Sequence, residues 1–487
     1  MAKRVSVIDI GSNSVRMVVY EKTSRFAFHL LHEAKTKVRI SEDAYKNGHN
    51  LQKVPMQRTF EALKDFVSIS SSFKVKKVLC VATSALRDAP NKKEFINRVS
   101  KQLKLNIKVI DGTREAYLGG VACANLLPQQ ENALSIDIGG GSTEFCVIDG
   151  KDVKRNISLN LGTVRLKELF FDTNKVDEAI TYIDSKLELL DGIDTSTLIG
   201  IGGTFRAVSA AIMENQNYPL DKLHAYEYSD TLFKKFISDV LDADEKQLKK
   251  LGIKSERFDI IKPGVLILDR VIKKINIKRL LTSGVGVRDG VYLSDLLRNS
   301  KDKFPHNYNT SVRYLIDRHI FEKSFSNQLN LLAKKLFDTT HKHLGIDEKY
   351  RQDFTTAAKL YPIGSNIHFY SKHRHSYYLI LNTLEYGFTH NQIILIATLV
   401  RYAKRRSPSS QHIEKYKFLL PPKNSLNALS YLLSLVVAML SHRPRDIDFD
   451  FDFTDGTLKI NSKNNLYLSK EAIKKLDAFE DFKIEFL

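Results

Sequence analysis

The stretch Asp137-Ile138-Gly139-Gly140-Gly141-Ser142-Thr143-Glu144 decides how this chain is read. It lies between one apolar run, with Ala133, Leu134 and Ile136, and a second from Phe145 to Ile148. The segment therefore reads as the turn of a β-hairpin, with a carboxylate at the strand end and two hydroxyls past the turn. Three consecutive glycines are expected to take positive φ and to let another group approach the amides. Carboxylate, bare amides and hydroxyls together suit a metal-bound phosphate. In isolation an ordinary glycine turn would look the same.

The stretch has a partner. The chain opens Val5-Ser6-Val7-Ile8-Asp9-Ile10-Gly11-Ser12-Asn13-Ser14-Val15-Arg16, followed by Met17, Val18 and Val19. Aligned with the first stretch, Asp9 falls on Asp137, Ile10 on Ile138, Gly11 on Gly139 and Ser14 on Ser142. A repeat of strand, Asp-Ile-Gly turn and strand predicts two related lobes, each presenting a phosphate-binding hairpin to a shared cleft.

With 487 residues, the chain is too long for one core and predicts three or four domains of roughly 100–200 residues each. Its 43% hydrophobic and 10% aromatic content is that of a globular protein. A net charge of +19 points to an anionic partner, with nucleic acid, polyphosphate, a nucleotide and a membrane surface all compatible. Cys80, Cys123 and Cys146 sit singly in apolar surroundings, the pattern of buried reduced thiols. The N-terminus runs directly into a strand, and the most apolar stretch, Leu426 to Leu440, falls short of the roughly 20 residues of a membrane span. A cytoplasmic location and no membrane partner are expected.

Past the first hairpin, Val54–Phe73 reads as a helix, Val75–Val81 as a strand, Pro90 onward as a helix and Ile107–Ile110 as a strand. That is an α/β rhythm. Thr113 is the expected cap of the next helix. After the triglycine hairpin come a strand near Ile157–Leu161, a helix over Val176–Leu190, and a strand at Leu198–Ile201 entering Gly202-Gly203-Thr204. Pro263-Gly264 is the expected start of a further helix, and Ile277–Thr282 a strand. No glycine cluster spells Gly-x-Gly-x-x-Gly, which disfavours a dinucleotide fold. Residues 299–310 read as a linker. Beyond it, helical periods dominate (Leu329, Leu332, Ala333, Leu336; then Ile393–Ala403 and Leu426–Leu440), ending in a charged hairpin turning at Asp455-Gly456.

Asp-Ile-Gly-Ser-Asn-Ser at the start, Ala82-Thr83-Ser84-Ala85-Leu86-Arg87, the triglycine stretch and Gly202-Gly203-Thr204 form one ordered set. With Leu161-Gly162-Thr163-Val164-Arg165-Leu166 and Gly286-Val287-Arg288-Asp289-Gly290, it resembles the exopolyphosphatase and guanosine pentaphosphate phosphatase family (Ppx/GppA) over residues 1–300. The resemblance implies an α/β fold: two ribonuclease-H-like lobes of the actin-like (ASKHA) type around a cleft, 1–124 and 125–300. A mostly helical HD-like domain (301–445) and a small α+β C-terminal piece (446–487) follow. It also implies Mg2+-dependent hydrolysis of a terminal phosphoanhydride of inorganic polyphosphate or pppGpp, with no specific nucleic acid partner, and a homodimer joined through the helical domain.

Carried over residue by residue, the resemblance makes Glu115, in Gly112-Thr113-Arg114-Glu115-Ala116, the base that activates water. One of the family's two carboxylates there is Arg114. Arg87 is expected to grip phosphate. Ser12, Asn13, Ser14, Arg16, Gly139, Gly140, Gly141, Ser142, Thr143, Gly203 and Thr204 are the expected phosphate-binding set. Asp137 and Asp9 are the expected metal ligands, and Glu144 a further candidate. In the helical part, Leu360-Tyr361-Pro362-Ile363-Gly364 stands where HD-like domains carry Leu-His-Asp-Ile-Gly, so no second metallohydrolase centre is expected there. Lys372, Arg374, Arg401, Lys404, Arg405 and Arg406 suggest a basic surface. Two other readings are a sensor of nucleotide, alarmone or polyphosphate without turnover, and an actin-like kinase with a small acceptor.

Overall fold

A computed structural model of the chain describes residues 3–404, 407–479 and 482–487. It divides into two compact units, Met1–Tyr308 and Asn309–Leu487.

In the first unit the chain runs β1 (Arg4–Ile10), β2 (Val15–Lys22), β3 (Phe28–Thr36), α1 (Lys53–Ser72), β4 (Lys77–Ala82), α2 (Ser84–Asp88), α3 (Lys92–Leu103), β5 (Ile107–Val109) and α4 (Gly112–Leu126). The plan then repeats with β6 (Gln130–Ile138), β7 (Thr143–Gly150), β8 (Asp152–Leu159), α5 (Thr163–Leu169), α6 (Val176–Leu187), β9 (Thr197–Ile201) and α7 (Gly202–Asn215). β10 (Glu227–Ser229), α8 (Asp230–Asp242), α9 (Glu245–Lys250), α10 (Phe258–Lys274), β11 (Arg279–Thr282) and α11 (Val287–Leu296) complete it.

The two sheets share a five-strand topology, to which lobe II adds β10, antiparallel to β11, at one edge. Lobe I is ordered β3-β2-β1-β4-β5, and lobe II is ordered β10-β11-β9-β6-β7-β8. In both, an antiparallel meander leads to strands added in parallel through helical crossovers: β4 beside β1, and β9 beside β6. Val5, Val7, Ile8 and Ile10 in β1, and Leu134, Ile136 and Ile138 in β6, are buried, as central strands covered on both faces require. The internal repeat is thus a repeat of fold.

Three details depart from expectation. The boundary after residue 124 falls inside α4, which packs on β7 and β8 of lobe II. α11, assigned to lobe II, returns to pack on α4 and β1, with Tyr292 stacked on Tyr20 at 4.3 Å between ring centroids. α10 begins at Phe258, so Pro263 sits inside it and is no initiator.

The second unit contains α12 (Thr310–His319), α13 (Lys323–Thr340), α14 (Arg351–Leu360), α15 (Lys372–Thr383), α16 (His390–Tyr402), α17 (Ser410–Lys415) and α18 (Lys423–Met439). It closes with β12 (Asp450–Thr454), β13 (Thr457–Asn461), α19 (Tyr467–Ile473) and β14 (Lys483–Phe486). It begins at Asn309, not at 301, and the C-terminal piece is not separate. Phe449, Phe453, Leu458 and Ile460 share one core with Leu329, Leu336, Leu399 and Leu432. With the turn that follows α18, the segment Lys423–His442 reaches 20 residues and is long and apolar enough to cross a membrane, but 67% of that window is buried in the domain. That burial is what a core helix shows.

Candidate active site

The two Asp-Ile-Gly turns are closed by the same bond: Gly11 N–H donates to Ser14 O at 3.2 Å, and Gly139 N–H to Ser142 O at 2.9 Å. None of the three consecutive glycines has positive φ, contrary to expectation. They are small because the turns meet. A Cβ on Gly140 would lie 2.9 Å from Ser12 Cβ, and one on Gly141 would run into the Tyr45 hydroxyl. The carbonyls of the second turn are all engaged by the start of α5. Thr163 N–H donates to Gly139 O at 3.0 Å, Val164 N–H to Gly140 O at 2.8 Å, and Arg165 Nε to Gly141 O at 2.9 Å. In lobe I, Arg39 N–H and Ser41 N–H donate to the carbonyls of Asn13 and Ser12 at 2.9 and 3.4 Å.

Between the turns lies a cleft of about 340 Å³. Its polar floor pairs Asp9 with Arg16 across β1 and β2, and Asp137 with Glu144 across β6 and β7. One equivalent position is a cation and the other an anion, so the repeated lobes have diverged. Burial raises both aspartates. Arg288 and Arg16 oppose that for Asp9, and Arg206 and Arg16 for Asp137. Arg16 is itself pushed down to about 10 by burial and by the neighbouring Arg288 and Arg206. Arg206 is fixed by Nε donating to Ser283 O at 2.7 Å and Nη2 to Val285 O at 3.0 Å. Lys35, Lys37 and Arg257 add charge along the lining. Gly202 has φ +81°, and a Cβ there would lie 2.4 Å from Asp137 Oδ1, so this turn must stay bare to admit the carboxylate.

Glu115 sits in the first turn of α4, whose cap is Asp111, accepting from Arg114 N–H at 2.7 Å, and not Thr113. Glu115 is only 8% exposed. Arg87 holds it: Nη1 donates to Glu115 Oε2 at 3.0 Å and to Ile110 O at 3.2 Å, and Nη2 reaches Ser142 Oγ at 3.3 Å. Burial and the nearby Glu144 carboxyl raise Glu115 well above the usual carboxylate range, against the pull of Arg87. Glu144 accepts from Ser158 Oγ at 2.9 Å. Burial pushes it up to about 8, although hydrogen bonds from Ser142 and Ser158 oppose the rise.

The Glu144 shift has a sign that stability measurements can read. Below about pH 4.5 the carboxyl is protonated in folded and unfolded chains alike. As pH climbs toward 8 the unfolded chain ionises freely and the folded chain does not, so stability falls. Without divalent cations, Glu144→Gln is expected to match the parent at pH 4.5. At pH 8 it is more stable, on the order of 4 kcal/mol. Equal chemical-denaturation midpoints at both pH values would refute the burial cost.

Of the expected site residues, Asp9, Ser12, Asn13, Ser14, Arg16, Glu115, Asp137, Gly139, Gly140, Ser142, Gly203 and Thr204 line the cleft together. Three do not. Thr143 is fully buried and its hydroxyl donates to Leu161 O at 2.5 Å. Gly141 is packed behind, against Tyr45 and Ser84. Arg87 lies behind Glu115 and is bound to it. Four cleft cations are not singled out by the sequence motifs. Arg206 follows the Gly-Gly-Thr turn by two residues, and Lys35 and Lys37 alternate at the end of β3. Nothing in the sequence around Arg257 distinguishes it. Arg288, in an already quoted motif, was also unassigned.

The donor set fits a hard divalent cation. Asp9 Oδ1 is buried with no hydrogen-bond partner, leaving acceptor capacity for an ion. Among the described residues no three carboxylate, imidazole or thiol groups converge on one point. Mg2+ takes one or two carboxylates and completes its shell with water and phosphate oxygens. Asp137 and Asp9 would hold it.

A model of the Ppx/GppA phosphatase family matches residues 18–299, and a model of that family's domain III matches residues 309–475. The chain belongs to the Ppx/GppA phosphatase family. Accordingly, its two lobes are those of the actin-like fold. The Ppx/GppA family member of Aquifex aeolicus superposes with a TM-score of 0.54 at 28% identity, covering 62% of this chain and 99% of the other. An exopolyphosphatase of Cytophaga hutchinsonii gives 0.57 at 24% identity, covering 62% of this chain and all (100%) of the other. That likeness bears on fold alone. The bifunctional 3-dehydroquinate synthase/phosphatase of Fusobacterium nucleatum is 32% identical over 287 residues, 54% of this chain and 42% of that protein's length.

Proposed function

We propose that this cleft removes the terminal phosphate of inorganic polyphosphate by Glu115-assisted attack of water, with Mg2+ bound at Asp137 and Asp9. The carrying observation is the meeting, in one cleft, of a glutamate whose pKa is raised chiefly by burial with the two Asp-Ile-Gly turns and six cationic side chains. A carboxyl whose pKa is raised by burial is a stronger base than an ordinary one. Arg87 keeps Glu115 oriented, and its second nitrogen at Ser142 lies beside the second turn. The bound cation would neutralise charge on the phosphate oxygens. The turn hydroxyls of Ser12, Ser14 and Ser142 and the arginines Arg16, Arg206 and Arg288 hold the phosphate where charge develops, and such positioning supplies most of the catalysis in phosphoryl transfer.

Polyphosphate is placed ahead of pppGpp for a specific reason. Six cations (Arg16, Lys35, Lys37, Arg206, Arg257 and Arg288) line the cleft with five carboxylates, and no aromatic ring does among the described lining residues. A chain of phosphates finds partners there, whereas a guanine base finds no stacking surface. The expected result of a side-by-side kcat/KM comparison is long polyphosphate above pppGpp, and pppGpp above ATP. Polyphosphate binding is also expected to weaken steeply with salt, as counterion release requires. A higher kcat/KM on pppGpp reverses the substrate order, and no phosphate release from either supports the sensor reading.

A further inference from the structure

A second cavity, of about 230 Å³, opens within the helical unit. Tyr361 lines it, at the position where HD-like domains carry their histidine. The pocket has the opposite character to a metal site. Lys372, His373 and Lys404 line it with the aromatic Phe369 and Tyr370, and no carboxylate does among the described lining residues. Arg405 and Arg406, read from sequence as part of the same basic surface, lie outside the described residues.

Four observations point to a ligand. Phe369 and Tyr370 are 60% and 74% exposed, adjacent in sequence and 5.6 Å apart between centroids, so the rim offers ring faces to solvent. Lys372 Nζ lies 4.5 Å from the Phe369 ring centre and 5.5 Å from that of Tyr361, which directs one charge into the aromatic wall. Lys404 Nζ is held at the rim by Tyr370 O at 2.9 Å. His373 Nδ1 is buried and has no hydrogen-bond partner.

The electrostatics agree. Lys372 is half-buried in the fields of Arg443 and Lys404, and burial with those cations lowers its pKa. Burial and Lys404, Arg374 and Lys372 push His373 down to about 4, leaving a neutral imidazole. Like charges gathered in a half-buried site are relieved by an anion. Lys372 and His373 also open α15, where the helix dipole favours negative charge and Ser371 makes no side-chain cap.

We propose that this pocket binds a nucleoside monophosphate, its phosphate between Lys372, Lys404 and His373 and its base against Phe369 and Tyr370. The volume sits below the roughly 300–1,000 Å³ of sites for drug-sized ligands, so it suits one phosphate-bearing ring with part of the ligand at the open rim. The site is distinct from the phosphate cleft and independent of the polyphosphate reading.

The experiment is calorimetric titration of AMP into the full chain in EDTA, with inorganic phosphate and adenosine as separate arms. AMP is expected to bind more tightly than either fragment. Lys404→Glu and Tyr370→Ala change exposed side chains and are each expected to weaken AMP at least tenfold and fivefold respectively, with unchanged melting temperature. Arg288→Ala in the cleft should leave AMP affinity unaltered. Wild-type affinity in both pocket variants overturns the proposal, as does loss of AMP binding in Arg288→Ala alone. So does binding of phosphatidylserine vesicles with no AMP heat, which would make Phe369 and Tyr370 a membrane contact.

Discussion

Glu115→Gln is expected to lower kcat on polyphosphate by about 10²–10⁴-fold, the usual contribution of a positioned general base, while KM changes little. Glutamine keeps the volume, and its amide oxygen still accepts from Arg87, so the α4 first turn and the Arg87 network persist. Removing the charge relieves repulsion with Glu144 but also takes the ion-pair partner from Arg87, so the melting temperature should change little. The pH profile gives a second reading. A base works only when deprotonated, so kcat of the parent should rise with pH through a midpoint above the usual 4.5 of a glutamate, because burial and Glu144 favour the protonated form. Glu144→Gln should move that midpoint down, since the like charge is gone. The role assigned to Glu115 fails if Glu115→Gln retains kcat within tenfold of the parent.

Asp137→Asn is expected to separate binding from turnover. Asp137 lies in the fields of Arg206 and Arg16, so neutralising it leaves the cleft more positive. Without divalent cations, tripolyphosphate should therefore bind the variant several-fold tighter than the parent. With Mg2+ present, kcat should fall by about 10²–10³-fold, the range seen when one group stabilising transition-state charge is removed. The Mg2+-induced rise in melting temperature should shrink as well, a readout that does not depend on activity. An unchanged Mg2+ response would move the ion away from Asp137. Arg206 bears on the same balance from the other side. Its two backbone hydrogen bonds fix a buried cation, and losing the nearby Asp137 charge raises the cost of keeping it there.

The paired Asp-Ile-Gly turns were legible because local patterns encode them. Alternating apolar residues make the strands, and the glycine turn between them fixes a hairpin register in which Asp9 and Asp137 stand at matching ends. From that repeat the two lobes, the cleft and most of the cleft-lining candidate residues follow. Of the two purposes read for the glycines, close approach holds and positive φ does not. Sequence shows that a Cβ is missing but not what would have met it, which here is Ser12 of the opposite turn and the Tyr45 hydroxyl.

Other features depend on residues far apart in the chain. The sequence could not say that Thr143 spends its hydroxyl on Leu161, or that Arg87 turns toward Glu115. Nor could it gather Lys35, Arg206, Arg257 and Arg288 into one cleft, because each comes from a different element and none belongs to a periodic pattern. The same holds for the pKa of Glu115. Its residue type and helix position are local, but the burial and the Glu144 charge that lift it arise only when α4 packs against lobe II. By itself the sequence determined two hairpins with bare glycine turns and an aspartate at each strand end. Tertiary packing decided which charges line the cleft between them, since electrostatic strength depends on distance and burial, and neither is written in residue order.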